Sequence, residues 1–157
     1  MKTKLTIICG LPGSGKSKWI EDHKGEFPGC VSDDFHANAI DDDSALRKSR
    51  DFNKLKKALQ EGRNSCIADI AYCGSAHRET ITRELEAIRG EMDFEIRWVA
   101  FEKDPDACLL NILKDPKRTG ERRYDRIRKV MELYRKYSPV PEWAEVVPVH
   151  KGSEETK

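Results

Sequence analysis

The chain has 157 residues, with 29 Lys and Arg against 28 Asp and Glu and a formal net charge of +1. That length supports one domain with a real core, and the near balance excludes a molecule that attracts nucleic acid by its overall charge. Any basic binding face has to be local. The five cysteines, Cys9, Cys30, Cys66, Cys73 and Cys108, are odd in number and form no C-x-x-C pair. This argues for reduced thiols in a cytoplasm over a disulfide frame or a zinc site. The N-terminal apolar run is too short for a signal peptide, and no stretch reaches transmembrane length, so no membrane partner is expected.

In chain order, Leu5 to Cys9 is a short apolar run that predicts a buried strand. The next eight residues, Gly10-Leu11-Pro12-Gly13-Ser14-Gly15-Lys16-Ser17, fit G-x-x-x-x-G-K-[ST], the P-loop pattern. Its three glycines let backbone N–H groups curl around an anion without Cβ clashes. Lys16 is positioned to reach β- and γ-phosphates, and the Ser17 hydroxyl to ligate Mg²⁺. All eight residues are therefore predicted nucleotide contacts. A helix over 16–24 follows, with its N-terminus toward the phosphates. Cys30-Val31-Ser32 predicts a short strand ending at Asp33-Asp34, and 36–43 a polar loop in which Asp41, Asp42 and Asp43 are a solvated run.

Ser44 is placed to cap a helix with Leu46, Phe52, Leu55 and Leu59 on one face and Gly62 past its end. Asn64 to Asp69 reads as a strand terminating in a carboxylate. Ser75 then caps a helix carrying Ile81, Leu85 and Ile88, closed by Gly90. Phe94 to Phe101 predicts a strand with Phe94, Ile96, Trp98 and Ala100 on one side. Asp104-Pro105 opens a helix through Leu109, Leu110 and Leu113 to Asp115-Pro116. A polar, arginine-rich connection over 117–125 leads to a helix with Ile127, Val130, Met131 and Tyr134 at helical spacing. Val146 to Val149 predicts a last strand, at an edge because of Pro148.

Alternating strands and helices predict a three-layer α/β domain over 1–150, a P-loop NTPase fold with a mostly parallel sheet, helices on both faces and an arginine-rich lid at about 114–125. Residues 151–157 read as a flexible tail. Ligands collect at the carboxyl ends of the strands in such sheets. The P-loop, Asp33, Asp69 and Glu102 should therefore share one rim.

A P-loop serves motors, switches and kinases alike. Asp69 is followed by Ile70 where a motor ATPase carries Asp-Glu, and Asn53-Lys54-Leu55-Lys56 lacks the aspartate of a guanine-reading N-K-x-D. A small phosphotransferase using ATP and Mg²⁺ fits best. It needs a base, a magnesium site and positive charge for the transferring phosphoryl group. Asp33 is the expected base, ahead of Asp34, since neighbouring strand residues point to opposite sides. Asp69 is expected either to hold the magnesium water shell or to anchor an acceptor-binding side chain. Lys117, Arg118, Arg122 and Arg123 supply lid charge, with Lys16, Asp33, Arg118 and Arg122 as the catalytic candidates. His36 is a candidate acceptor contact. His23, His77 and His150 lack metal-ligand spacing and read as surface side chains. Tyr72 is read equally as an acceptor-stacking ring or a structural turn residue.

Together, Leu5 to Trp19 and Phe27-Pro28-Gly29-Cys30-Val31-Ser32-Asp33-Asp34-Phe35 resemble the polynucleotide 5′-hydroxyl kinase family, with a weaker match at Cys66-Ile67-Ala68-Asp69. The resemblance implies Lys16 and Ser17 on ATP and magnesium, Asp33 as general base, Asp69 in acceptor binding and a lid arginine on the phosphates. It implies a nucleic-acid or nucleotide 5′-hydroxyl as acceptor. The chain departs from the family at His36, which stands where an arginine grips the acceptor, at Ile70-Ala71-Tyr72 in place of an asparagine-rich turn, and at Asn111-Ile112 in place of an Arg-Asn pair. These departures leave open a small-molecule acceptor (a nucleoside, sugar nucleotide or antibiotic) and an ATP-binding switch with no acceptor.

Overall fold

Apolar runs in the sequence become the strands of one sheet. The structure, a computed structural model, describes residues 2–33, 35, 51–90, 92–117 and 119–151. Its elements are β1 (Thr3–Cys9), α1 (Lys16–Asp22), β2 (Val31–Ser32), α2 (Phe52–Gln60), β3 (Ser65–Ala68), α3 (Ser75–Arg89), β4 (Phe94–Phe101), α4 (Pro105–Lys114), α5 (Gly120–Leu133) and β5 (Glu145–Val147). The sheet runs β2-β3-β1-β4-β5, and every pairing is parallel. In the central β1, Leu5, Ile7, Ile8 and Cys9 are fully buried, as a parallel strand covered on both faces requires. None of the described helices is long and apolar enough to cross a membrane.

Strand alternation sorts the helices onto two faces. The β1–β4 register sets Thr6 beside Arg97 and Ile7 beside Trp98, so the two pairs point oppositely. Arg97 lies over the Trp19 ring of α1, 5.9 Å from its centroid. Trp98 meets Tyr72, just ahead of α3, edge-on at 6.2 Å. α1 therefore covers one face and the Tyr72–α3 segment the other, giving the three layers expected. Strands end at Cys9, Ser32, Ala68 and Phe101, so the loops that follow share the predicted rim.

Several local details differ from the sequence reading. Gly74, not Ser75, is the N-cap of α3: its backbone is extended and its carbonyl accepts from Arg78, so Ser75 is already helical. Gly90 closes α3 in a right-handed conformation and makes no use of glycine's freedom, whereas Gly62 after α2 takes φ +72°. On α4 the buried pair is Cys108 and Ile112, while Leu110 and Leu113 are 53% and 48% exposed. α4 turns that pair toward Gly13, and two leucines are left to solvent. α5 begins at Gly120, so Arg122 and Arg123 sit in its first turn and not in an irregular stretch. Met131 is also exposed, and Val130 alone on that helix is fully buried. The readings at Asp34, His36, Asp41 to Asp43, Ser44, Leu46, Arg118 and the tail past 151 lie outside the described residues.

Candidate functional site

The loop between β1 and α1 owes its shape to glycine. Gly13 and Gly15 have φ of +82° and +107°, values that side chains with a Cβ rarely adopt. A Cβ on Gly13 would lie 2.5 Å from the Cys108 carbonyl oxygen, and one on Gly15 2.5 Å from His150 Cβ. The loop is thus packed between α4 and the segment after β5. Gly15 is the N-cap of α1 and offers no side-chain acceptor to that helix's first N–H groups. The Ser14 hydroxyl is buried and has no hydrogen-bond partner among the described residues.

Lys16 folds back over this loop. Its Nζ donates to the carbonyls of Gly10 at 2.7 Å and Leu11 at 3.0 Å. Burial holds its pKa below the ordinary lysine range, and the nearby Cys73, Cys108, Asp69 and Cys9 act in the opposite direction. Those thiols are no candidate nucleophiles: burial pushes Cys73 up to about 11 and Cys108 to about 12, and Cys9 higher still.

Ser17 points to the end of β2. Its Oγ donates to Asp33 Oδ2 at 2.8 Å, so the P-loop hydroxyl and the expected base are in direct contact. Asp69, at the end of β3, is 7% exposed and accepts the Ala71 N–H at 2.9 Å, capping the 3₁₀ turn Ile70–Cys73. Its carboxylate also favours the charged form of Lys16. Lys16, Ser17, Asp33 and Asp69 are therefore gathered at one rim. Glu102 stands exposed at the end of β4, its N–H bonded to Val147 O. Tyr72 is fully buried against Trp98, which removes it as a stacking platform for a ligand.

Two open clefts adjoin the loop and the α4–α5 hairpin. A groove of about 590 Å³ runs between the Gly15, Lys18 and Trp19 side of α1 and Phe101, Pro148 and His150. A cleft of about 620 Å³ at the start of α5 is lined by Asp115, Lys117, Arg122, Asp125 and Arg126, among others. Arg122 is exposed there.

Comparison with known proteins agrees with this fold. A family described as an AAA domain matches residues 5–138. The chain belongs to this AAA-domain family. Its sheet order and glycine loop are those of a P-loop NTPase fold. No curated protein matches the sequence at a significant level. Among solved structures, a fungal RNA kinase superposes with a TM-score of 0.54 at 14% identity, over 96% of this chain and 76% of the other. At that identity the likeness is one of fold.

Three residues of this AAA-domain chain escaped the sequence reading. His150, considered in the sequence only for its side chain, donates its backbone N–H to Ser14 O at 2.9 Å. Asn111 of α4 donates to Gly13 O at 2.8 Å and also to His150 O. Tyr137, buried beyond α5, bonds the carbonyls of Cys9 and Phe101, the last residues of β1 and β4. Among these, only Asn111 carried a sequence signal, a lone amide on the α4 face that holds Cys108 and Ile112.

Proposed function

We propose that this protein is an ATP- and Mg²⁺-dependent phosphotransferase that moves the γ-phosphoryl group to a hydroxyl acceptor. The observation that carries the reading is the 2.8 Å hydrogen bond between Ser17 Oγ and Asp33 Oδ2, which sets a carboxylate beside the P-loop hydroxyl. The donor set fits a polyphosphate: two left-handed glycines, an uncapped helix start, an orphaned Ser14 hydroxyl and a lysine held by carbonyls it can exchange for phosphate oxygens. The Ser17 hydroxyl is a hard oxygen donor suited to Mg²⁺, with the Asp33 carboxylate beside it. When bound, the ion would neutralise charge on the phosphates.

In this reading residues 10–17 hold the triphosphate, and Lys16 neutralises the phosphate oxygens. Asp33 accepts the proton of the acceptor hydroxyl as that oxygen bonds to the γ-phosphorus. The bond from phosphorus to the bridging oxygen breaks, and the diphosphate leaves. Asp69 is proposed to keep Lys16 charged and to border the acceptor. Arg122, with Arg118, is proposed to supply lid charge, and the groove beside Gly15 and His150 to take the base and ribose. A nucleic-acid or nucleotide 5′-hydroxyl is the acceptor class proposed first. The net charge of +1 keeps a small neutral acceptor as the second.

The test is incubation with γ-labelled ATP, Mg²⁺ and a panel of 5′-hydroxyl oligonucleotides, nucleosides and sugars. Labelling of an oligonucleotide that weakens steeply with salt supports the first acceptor class. Labelling of a nucleoside or sugar, insensitive to salt, supports the second. Tight ATP binding with no acceptor labelled overturns the transferase reading in favour of a nucleotide-binding switch.

A further inference from the structure

A peptide unit is planar and carries its N–H and C=O on opposite sides, so a loop that turns N–H groups inward must turn carbonyls outward. Those carbonyls then need donors from elsewhere in the chain. In the Gly13–Gly15 stretch Gly15 O is taken by the Trp19 N–H of α1, and the other two find donors far along the chain. Gly13 O accepts from Asn111 Nδ2, and Ser14 O accepts from the His150 N–H. The Asn111 amide also donates to His150 O, so one side chain from α4 ties both supports together.

The packing points to the same residue. Gly13 lies against Cys108 and Ile112 of α4, and Gly15 lies against His150. The two segments that Asn111 joins are the two that confine the left-handed glycines. With the Ser14 carbonyl held on His150, the Gly15 N–H in the same peptide unit must point away from His150. The Gly13–Ser14 unit is fixed at both ends, by Asn111 on its carbonyl and by Leu11 O on its N–H at 3.1 Å.

We infer that Asn111 is a positioning residue for the phosphate seat: its two amide donors fix the peptide orientations of Gly13 to Gly15 on which anion binding depends. The inference rests on the nucleotide reading above. Asn111 touches no substrate in this scheme and acts through the Gly13 carbonyl and His150.

Asn111→Asp tests it, because aspartate has the same shape but brings no donor and sets negative charge against two carbonyls. Titration of the full chain with a non-hydrolysable ATP analogue and, separately, with inorganic tripolyphosphate reads the seat with and without a base. The expected result is a loss of at least about tenfold for both ligands, by similar factors, well below the unfolding temperature. If Asn111→Asp does not fold, Asn111→Ala is measured the same way. Affinities within about twofold of wild type for both ligands, even with a lowered melting temperature, would make Asn111 merely structural and overturn the inference. A loss confined to the ATP analogue would also overturn it, since the effect would then lie in the base groove. Failure of the wild-type protein to bind either ligand would sink the seat itself, a result visible before any variant is made.

Discussion

Replacing Asp33 by Asn separates proton transfer from binding. Asparagine keeps the shape of the side chain and a carbonyl oxygen for the 2.8 Å bond from Ser17, but it cannot accept a proton. A hydrogen bond to a charged group contributes about 1.5–3 kcal/mol and a neutral one about 0.5–1.5, so the ground state loses about 1 kcal/mol. Because the pair is exposed, solvent screening places the loss at the low end of that range. General base catalysis contributes about 10²–10⁴ in rate, or about 3–5 kcal/mol of barrier. The two effects differ enough to be read apart. Initial rates with γ-labelled ATP and the labelled acceptor give kcat, and equilibrium titration gives the nucleotide Kd. The expected outcome is a kcat lower by at least about 100-fold, with Kd within about fivefold of wild type. If Kd rises in step with the fall in kcat, Asp33 serves the metal–nucleotide complex and is not the base. If kcat falls by less than about threefold, no proton passes through Asp33.

Three further substitutions probe the frame around the site. Lys16→Met should weaken ATP binding while raising the melting temperature of the ligand-free protein, because burial disfavours the lysine's charge. A folded pKa below the usual 10.5 means the penalty is present at low pH and is removed as pH rises toward 10.5, so the gain measured by thermal melts should shrink as pH rises. Gly13→Ala must take φ +82° and set a methyl 2.5 Å from the Cys108 carbonyl. Left-handed strain and overpacking together cost about 2–5 kcal/mol, a fall of about 5–15 °C in calorimetry. Tyr137→Phe removes the single O–H that two carbonyls, Cys9 O and Phe101 O, share. A loss of about 1–3 kcal/mol is expected in denaturant unfolding, and a change under about 0.5 kcal/mol would show that other donors replace the hydroxyl.

The legible parts of this protein are those whose physics is local. The strand ends at Cys9, Ser32, Ala68 and Phe101 follow from apolar runs that stop at polar or glycine residues. Asp104 caps α4 as read, accepting the Ala107 N–H at 3.1 Å ahead of Pro105. The glycine loop is likewise a motif of consecutive residues. What stayed hidden depends on partners far along the chain. Asn111 meets Gly13 across 98 positions and Tyr137 meets Cys9 across 128, and no periodicity marks such pairs. The start of α5 is not legible in the sequence, because Gly120 and the charged residues around it look like a connection. The helix nevertheless begins there, Gly120 taking φ +57° at its first position. Leu110 and Leu113 misled for a related reason: hydrophobicity names the residues able to pack, while Gly13 decides which side of α4 finds a surface.

These distant contacts also bear on how a lid built from α4 and α5 could close. Both ends of the hairpin are tied to the sheet rim. Asn111 holds α4 to the glycine loop, and Tyr137, just past α5, holds the last carbonyls of β1 and β4. Cys108 and Ile112 add a packed seam against Gly13. Swinging the whole hairpin away would break the half-buried Asn111 bond and the buried Tyr137 bonds and open the seam at once, and each group orphaned in the interior costs about 1–3 kcal/mol. Lys117, in the connection between α4 and α5, and Arg122, in the first turn of α5, are exposed at the cleft there. On the proposed lid reading, closure is therefore cheapest as a bend beyond Asn111, with the glycine loop held still. In that arrangement the proposed lid charge moves while the peptides proposed to bind the phosphates do not, which is what preorganised anion binding requires.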